Sequence, residues 1–219
     1  MTREVIELYD ARAAEYDAWF QSKSGSHLLA SELAALKMLM PAQDAAGRTL
    51  DIGCGTGVFS AQLAVDVGLD PSLAELRLAR SRGLNVVQAV AEALPFKQES
   101  FGTALLILSL CFISDPVAAL REAARVLTPR GILVCAELNR ESAWGAEYLK
   151  RKAAGDPFFG LANLYTVSET VTMMRGAGFD AETYASTLRR PPSAEAAVEE
   201  PQARLLKDAG FVVIRGRKR

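Results

Sequence analysis

One stretch of this sequence combines residue types and spacing that could do chemistry. It is Asp51-Ile52-Gly53-Cys54-Gly55-Thr56-Gly57, an acid followed by three alternating glycines. Glycine lets the backbone take positive φ and come close to a ligand. A glycine turn directly after an apolar strand lies at the carboxyl edge of an open sheet, where doubly wound folds bind ligands. Two kinds of nucleotide compete for such a turn. A dinucleotide turn has the spacing G-x-G-x-x-G, its amides and a helix N-terminus facing a pyrophosphate. Counted from Gly53 the third glycine falls one position early, and counted from Gly55 the required position is Ser60. Asp51 is equally informative. It would repel a pyrophosphate and attract an ammonium or sulfonium, so the turn suits a ligand with cationic and adenosine parts and no phosphate. A plainer reading of Asp51, a strand-end residue bonding nearby loop amides, stays open beside this one. In "GLDPS", Asp70 ends the next strand, where one carboxylate can accept from both hydroxyls of a ribose. Its alternative role as a helix N-cap competes with Ser72, which fits the cap better.

Those residues need elements to position them. "RTLDIG" (48–53) reads as a short buried strand, followed by the glycine turn and a brief helix near 57–64. "VDVGLD" (65–70) reads as a second strand. A helix over 71–83 has Ser72 and Glu75 at capping-box spacing and Gly83 as its stop. Strands at 84–90 and 103–110 follow. Asp115 and Pro116 fit the N-cap and first position of a helix reaching about Leu127, and "TPRG" (128–131) turns into a fifth strand at 132–138. Apolar strands joined by helices make a parallel sheet covered on both faces. Upstream, Val5, Tyr9, Ala13, Tyr16 and Phe20, then Leu28, Leu29, Leu33, Leu36 and Leu39, recur at helical spacing. Gly25 and Ser26 break the two helices apart and Pro41 ends the second. Downstream, 140–163 reads as irregular, and Thr166 with Glu169 opens a helix ending near Gly176. "AETYAST" (181–187) and "GFVVIRG" (210–216) read as strands around a proline-containing acidic loop.

Bulk properties exclude other classes. Half of the 219 residues are apolar, 23% are charged and the net charge is −1. That balance argues against a protein that grips a phosphate backbone. The longest apolar stretch, 104–113, is half the length of a spanning helix, and the start of the chain is charged from its third residue, Arg3, unlike a secretory signal. Cys54, Cys111 and Cys135 lie far apart and His27 is the one histidine, so no metal is expected. The reading is a reduced, cytoplasmic protein with a small-molecule substrate, no nucleic acid and no membrane span.

"LDIGCGTG", "GLDPS", "AEALPF" and "ARVLTPRGILV" stand in the order and spacing of the class I S-adenosylmethionine-dependent methyltransferases. The chain most resembles the ubiquinone/menaquinone-biosynthesis group, over about residues 48–138, and "YDARAAEYDAWF" looks like that group's opening helix. The resemblance implies an α/β, Rossmann-like, doubly wound fold. Its seven-stranded sheet would be mostly parallel, with one antiparallel strand and an N-terminal helical lid. One domain would span 1–219: a lid at 1–41, a cofactor-binding core at 48–139, and a substrate-side segment with a C-terminal hairpin at 140–219. It implies S-adenosyl-L-methionine as cofactor, with S-adenosyl-L-homocysteine as product. Asp51, Gly53, Cys54, Gly55 and Gly57 would lie along its methionine part, and Asp70, followed by Pro71, would hold the ribose. Ala91 and Glu92 would flank the adenine, Leu108 would face the sulfonium, and Tyr16 would cover the site. Two departures matter. Val90 stands where the group often has an aspartate on the adenine amino group, and "LCF" (110–112) replaces an "LHH" whose tasks do not transfer.

Methyl transfer from a sulfonium has an activated leaving group, so alignment and desolvation dominate and a dedicated base is optional. No catalytic residue is assigned. Tyr16, Glu137, Asn139 (as an orienter) and Tyr165 are the residues near the expected pocket. The segments 140–163 and 188–208 would choose the acceptor, and their composition suits a small or medium-sized, partly apolar one. Two other classes stay open: a methyltransferase acting on protein or RNA with a partner subunit, and a nucleotide-binding module or oxidoreductase without methyl transfer.

Overall fold

The structure, a computed structural model, describes residues 1–42, 47–195 and 197–219. Two helices come first, α1 (Arg3–Trp19) and α2 (Lys23–Leu39). Thr2 and Ser22 cap them by accepting from the amides of Val5 and Gly25. The break between them therefore falls at Phe20–Ser22 and not at Gly25 and Ser26. Gly25 sits in the first turn of α2, where a Cβ would collide with the Trp19 carbonyl.

Seven strands follow: β1 (Thr49–Ile52), β2 (Val67–Asp70), β3 (Asn85–Gln88), β4 (Phe101–Ile107), β5 (Leu127–Leu138), β6 (Phe179–Thr187) and β7 (Phe211–Lys218). Their order is β3-β2-β1-β4-β5-β7-β6. Strands β1 to β5 pair in parallel, and β7 runs antiparallel to both β5 and β6. The expected single antiparallel strand is β7. Helices α3 (Leu73–Ser81), α4 (Pro116–Val126), α5 (Ala143–Ala153) and α6 (Val167–Gly176) connect the strands. Thr166 and Glu169 form a complete capping box on α6.

Alternation along the strands divides the core between the two faces. Leu106, Leu133, Cys135, Val212 and Ile214 pack with Leu120 and Met174 on one side. Leu105, Ile107, Val134, Ala136 and Val213 pack with Leu33 and Leu36 of α2 on the other. β1 lies between β2 and β4 in register Leu50↔Val67 and Leu50↔Ala104. Successive connections leave β1 in opposite directions, so its carboxyl end is the switch point where such sheets open a crevice.

Three segments differ from expectation. Residues 57–64 form consecutive turns and no regular helix. Gly57 has φ +76 and Ala64 φ +52, both outside the helical region. The segment 140–163 is largely ordered by α5, which Ser142 caps. "TPRG" lies within β5 as a bulge, the pairing jumping from Phe101↔Leu127 to Thr103↔Ile132, with Arg130 at φ +60. Among the described residues no helix is long and apolar enough to cross a membrane.

Candidate functional site

The carboxyl ends of β1, β2 and β4 enclose a cleft. Gly53 and Cys54 both donate backbone amides to the Leu69 carbonyl, at 2.7 and 3.0 Å, tying the glycine turn to β2. All three glycines have positive φ, and a Cβ on Gly53 would sit 2.6 Å from that of Ser109. Ser109 in turn donates to the Ile52 carbonyl at 2.8 Å, locking the end of β4 to β1. Asp51 is buried at the floor. Ser60 Oγ donates to its Oδ2 at 2.5 Å, while Oδ1 has no partner among the described residues. Burial pushes the carboxyl up to about 7, assisted by the charge of Asp70 and opposed by the Ser60 bond. Asp70 accepts from the amides of Ser72 at 2.8 Å and Gly55 at 3.1 Å. Burial raises it too, those amides opposing. Glu75 of α3 also lines the cleft, is 3% exposed and has an unpartnered Oε1. Burial, then Asp70, Asp10 and Asp17, raise its carboxyl strongly.

Helix α1 lies over this cleft. Asp10 Oδ1 accepts from Ser72 Oγ at 2.7 Å and from the Ala74 amide at 2.9 Å. Asp17 takes both oxygens to Arg82 Nη2, at 2.7 and 2.8 Å. The helix is thereby bonded to both ends of α3. It brings Tyr9 and Tyr16, edge to face with ring centres 5.7 Å apart, onto the rim. Beyond them opens a second cavity of about 510 Å³, against about 60 Å³ for the cleft itself. Its wall is rich in aromatic rings, with Trp19 at the end of α1 and Phe20 just after it, Tyr148 from α5, and Phe158 and Phe159. Tyr9, Tyr16, Leu108 and Phe112 line both spaces. Leu108, just past β4, has φ +54, an unusual conformation for a branched side chain that marks a constrained position.

A methyltransferase domain model matches residues 50–135, from β1 into β5. A demethylmenaquinone methyltransferase of Corynebacterium kroppenstedtii is 30% identical over 95% of this chain and 86% of its own length. An uncharacterized protein of Mycobacterium tuberculosis is 41% identical over 92% of this chain and 70% of its own. A solved structure from Thermotoga maritima, described as a SAM-dependent methyltransferase and possible histamine N-methyltransferase, is 36% identical. It covers 98% of this chain and 100% of its own with a TM-score of 0.90. The chain belongs to the S-adenosylmethionine-dependent methyltransferases. S-adenosylmethionine is the cofactor of this family, and the methyltransferase's residues fit it. The unpartnered oxygen of Asp51 offers a cation an acceptor, and the space above Gly55 is one a Cβ would fill, 3.3 Å from Glu75 Oε2.

Of the residues expected to hold the cofactor, the cleft gathers Tyr16, Asp51, Gly53, Cys54, Gly55, Asp70 and Leu108. Gly57, Pro71, Ala91 and Glu92 lie outside its lining. Gly57 packs its backbone against Ala79, and Ala91 belongs to the core. Glu92 accepts from the Met1 ammonium at 2.5 Å and from the Ser114 amide at 3.2 Å. Among the residues near the expected pocket, Asn139 is committed to structure. Its amide donates to the Lys207 and Ala209 carbonyls and its oxygen accepts from the Glu141 amide. Tyr165 packs against the core and lines neither space. Glu137 does line the larger cavity, as does Cys111, whereas Cys135 is core. Sequence reasoning missed Ser60, Glu75 and Glu32 as site residues. Tyr9 belongs to the helix expected as the lid, at helical spacing from Tyr16, and lies on the rim with it.

Proposed function

We propose that this methyltransferase transfers the methyl group to a small or medium-sized, partly apolar acceptor bound in the aromatic cavity. The observation that carries this reading is the shared wall: Tyr9, Tyr16, Leu108 and Phe112 border both the cofactor cleft and the larger cavity. An acceptor atom there would meet the cofactor along the line through that junction. The descriptions of two relatives, a demethylmenaquinone methyltransferase and a possible histamine N-methyltransferase, name small-molecule acceptors of different chemistry.

S-adenosylmethionine supplies a methyl group already activated on a sulfonium, displaced in line. The chain's contribution is alignment and exclusion of water. Asp51 and Gly53–Gly55 hold the methionine part and Asp70 the ribose side, with Gly57 and Pro71 supporting them and Ala91 and Glu92 behind the cleft wall on the adenine side. Leu108 abuts the sulfonium, and Tyr16, with the lid of residues 1–41, closes the site. The core of 48–139 and the substrate-side segment of 140–219 complete one domain.

Isothermal titration with S-adenosylmethionine, S-adenosylhomocysteine and NADH tests the cofactor assignment. Micromolar binding of the first two and none of the third is expected. Asp51→Ala and Asp70→Ala should each weaken binding about tenfold or more, as expected for losing a charged hydrogen-bond partner. Both variants should keep the wild-type circular dichroism. Unchanged affinity in both would show that the cofactor lies elsewhere.

A further inference from the structure

The larger cavity is apolar in its walls and acidic in its charge. Four acidic residues line it: Glu15, Glu32, Glu137 and Asp156. Two are already neutralised. Glu15 pairs with Arg12 at 2.9 Å, and Asp156 with Arg151, the one cation in the wall, at 2.6 Å. Arg151 also lies over the ring of Phe159, 4.7 Å from its centre.

Glu32 and Glu137 are left. Glu32, on the inner face of α2, is 5% exposed and has no hydrogen bond or ion pair among the described residues. Glu137, near the end of β5, is 8% exposed and accepts only from Cys135 Sγ and Thr170 Oγ1, both at 3.4 Å. Burial without a cation or strong donors favours the protonated form of such a carboxyl. A ligand that brings positive charge to it lets it ionise and satisfies it. The same wall carries the aromatic rings of Tyr16, Trp19, Phe20, Tyr148 and Phe158, a ring type that favours a nearby cation.

We infer that the acceptor is an amine with an apolar body, its ammonium held by Glu32 within the aromatic cavity. This deepens the methyl-transfer reading and rests on it. A phenol or quinol acceptor fits worse, because it reacts as an oxyanion that two carboxylates repel. An amine is drawn in as a cation and becomes a neutral nucleophile once a carboxylate takes its proton. The nitrogen–carbon bond then forms as the carbon–sulfur bond breaks. The bonding pair stays on sulfur, the product departs as the methylammonium, and the carboxyl returns the first proton to solvent.

The test is binding to the protein saturated with S-adenosylhomocysteine. Benzylamine, 2-phenylethylamine and tryptamine are titrated beside the neutral 2-phenylethanol and the anionic 3-phenylpropanoate. At least one amine should bind about tenfold or more tightly than both isosteres, the discrimination expected of a desolvated charge pair. Glu32→Gln should abolish that preference while binding of S-adenosylhomocysteine reports an intact fold. Equal or better binding of the alcohol or the acid, or an amine preference that survives Glu32→Gln, overturns the inference. If S-adenosylhomocysteine itself fails to bind, the cofactor assignment falls first.

Discussion

At the scale of single residues, Ser60 explains how an acidic floor serves a cationic ligand. It stands where a dinucleotide turn would carry glycine, and among the described residues its hydroxyl is the single side-chain donor to the Asp51 carboxyl. Removing that donor disfavours the ionised carboxyl, which burial already holds at about 7. Ser60→Ala should therefore weaken S-adenosylmethionine binding about tenfold at neutral pH, a hydrogen bond to a charged group being worth roughly 1.5–3 kcal/mol. The loss should shrink toward pH 9, where Asp51 ionises in either protein. Calorimetric affinities at pH 7 and 9 check this, and a loss independent of pH would assign Ser60 to packing alone. Asp51 and Asp70 were legible in the sequence because an acid ending an apolar strand beside glycine has few other uses. Glu75 was not. Its spacing from Ser72 reads as a capping box, and Ser72 Oγ does accept from the Glu75 amide. The reciprocal bond is missing because the Ser72 amide already donates to Asp70, which leaves the Glu75 carboxyl to turn into the cleft.

At the scale of elements, α1 is a cover held by a few polar bonds. Asp10 satisfies the first turn of α3 and Asp17 grips Arg82 at its other end, while Tyr9 and Tyr16 supply the rim. Asp10→Ala removes an acceptor from an orphan amide, a loss of about 1 kcal/mol by analogy with helix caps. Hydrogen exchange should then quicken across α1 about fivefold, with the amides of β1 and β4 unchanged. Equal quickening in the sheet would mean that Asp10 supports the whole fold rather than the cover. The sheet and the paired first helices were readable because their apolar rhythm is what buries them. Helix α5 was not. Its two inward aromatics, Trp144 and Tyr148, pack in a small cluster with Leu164 rather than in a periodic core stripe, and Gly145 stands in its first turn. That glycine is demanded by tertiary structure, since a Cβ would strike the carbonyls of Asn139 and Arg140. The turns at 57–64 misled in the opposite direction: their composition suits a helix, but the positive φ at Gly57 and Ala64 at either end belongs to the turn itself.

At the scale of the whole molecule, the crevice gathers carboxyls whose burial ties stability to pH. Asp51 and Glu137 are pushed up to about 7 and Glu32 to about 8, with Asp70 and Glu75 raised as well. Each holds a proton in the folded state that the unfolded chain has lost above about pH 4.3. Their contribution is full below that value and falls as pH rises through the folded values, by about 1.4 kcal/mol per pH unit for each group. Asp66, Glu122 and Asp156 work in the other direction. Amide and arginine partners hold them low, so their contribution is present at neutral pH and lost in acid. The two sets together place maximal stability near pH 5–6, on the acid side of neutrality. Thermal unfolding of the protein alone should show Tm falling from pH 6 to pH 8.5, and Glu32→Gln should flatten that limb. A ligand that carries positive charge onto Asp51 binds the ionised form best. The gain in Tm on adding S-adenosylmethionine should therefore grow over the same interval. A Tm that rises toward pH 8.5, or a cofactor gain that does not change with pH, would mean that these carboxyls keep their charge in the empty crevice.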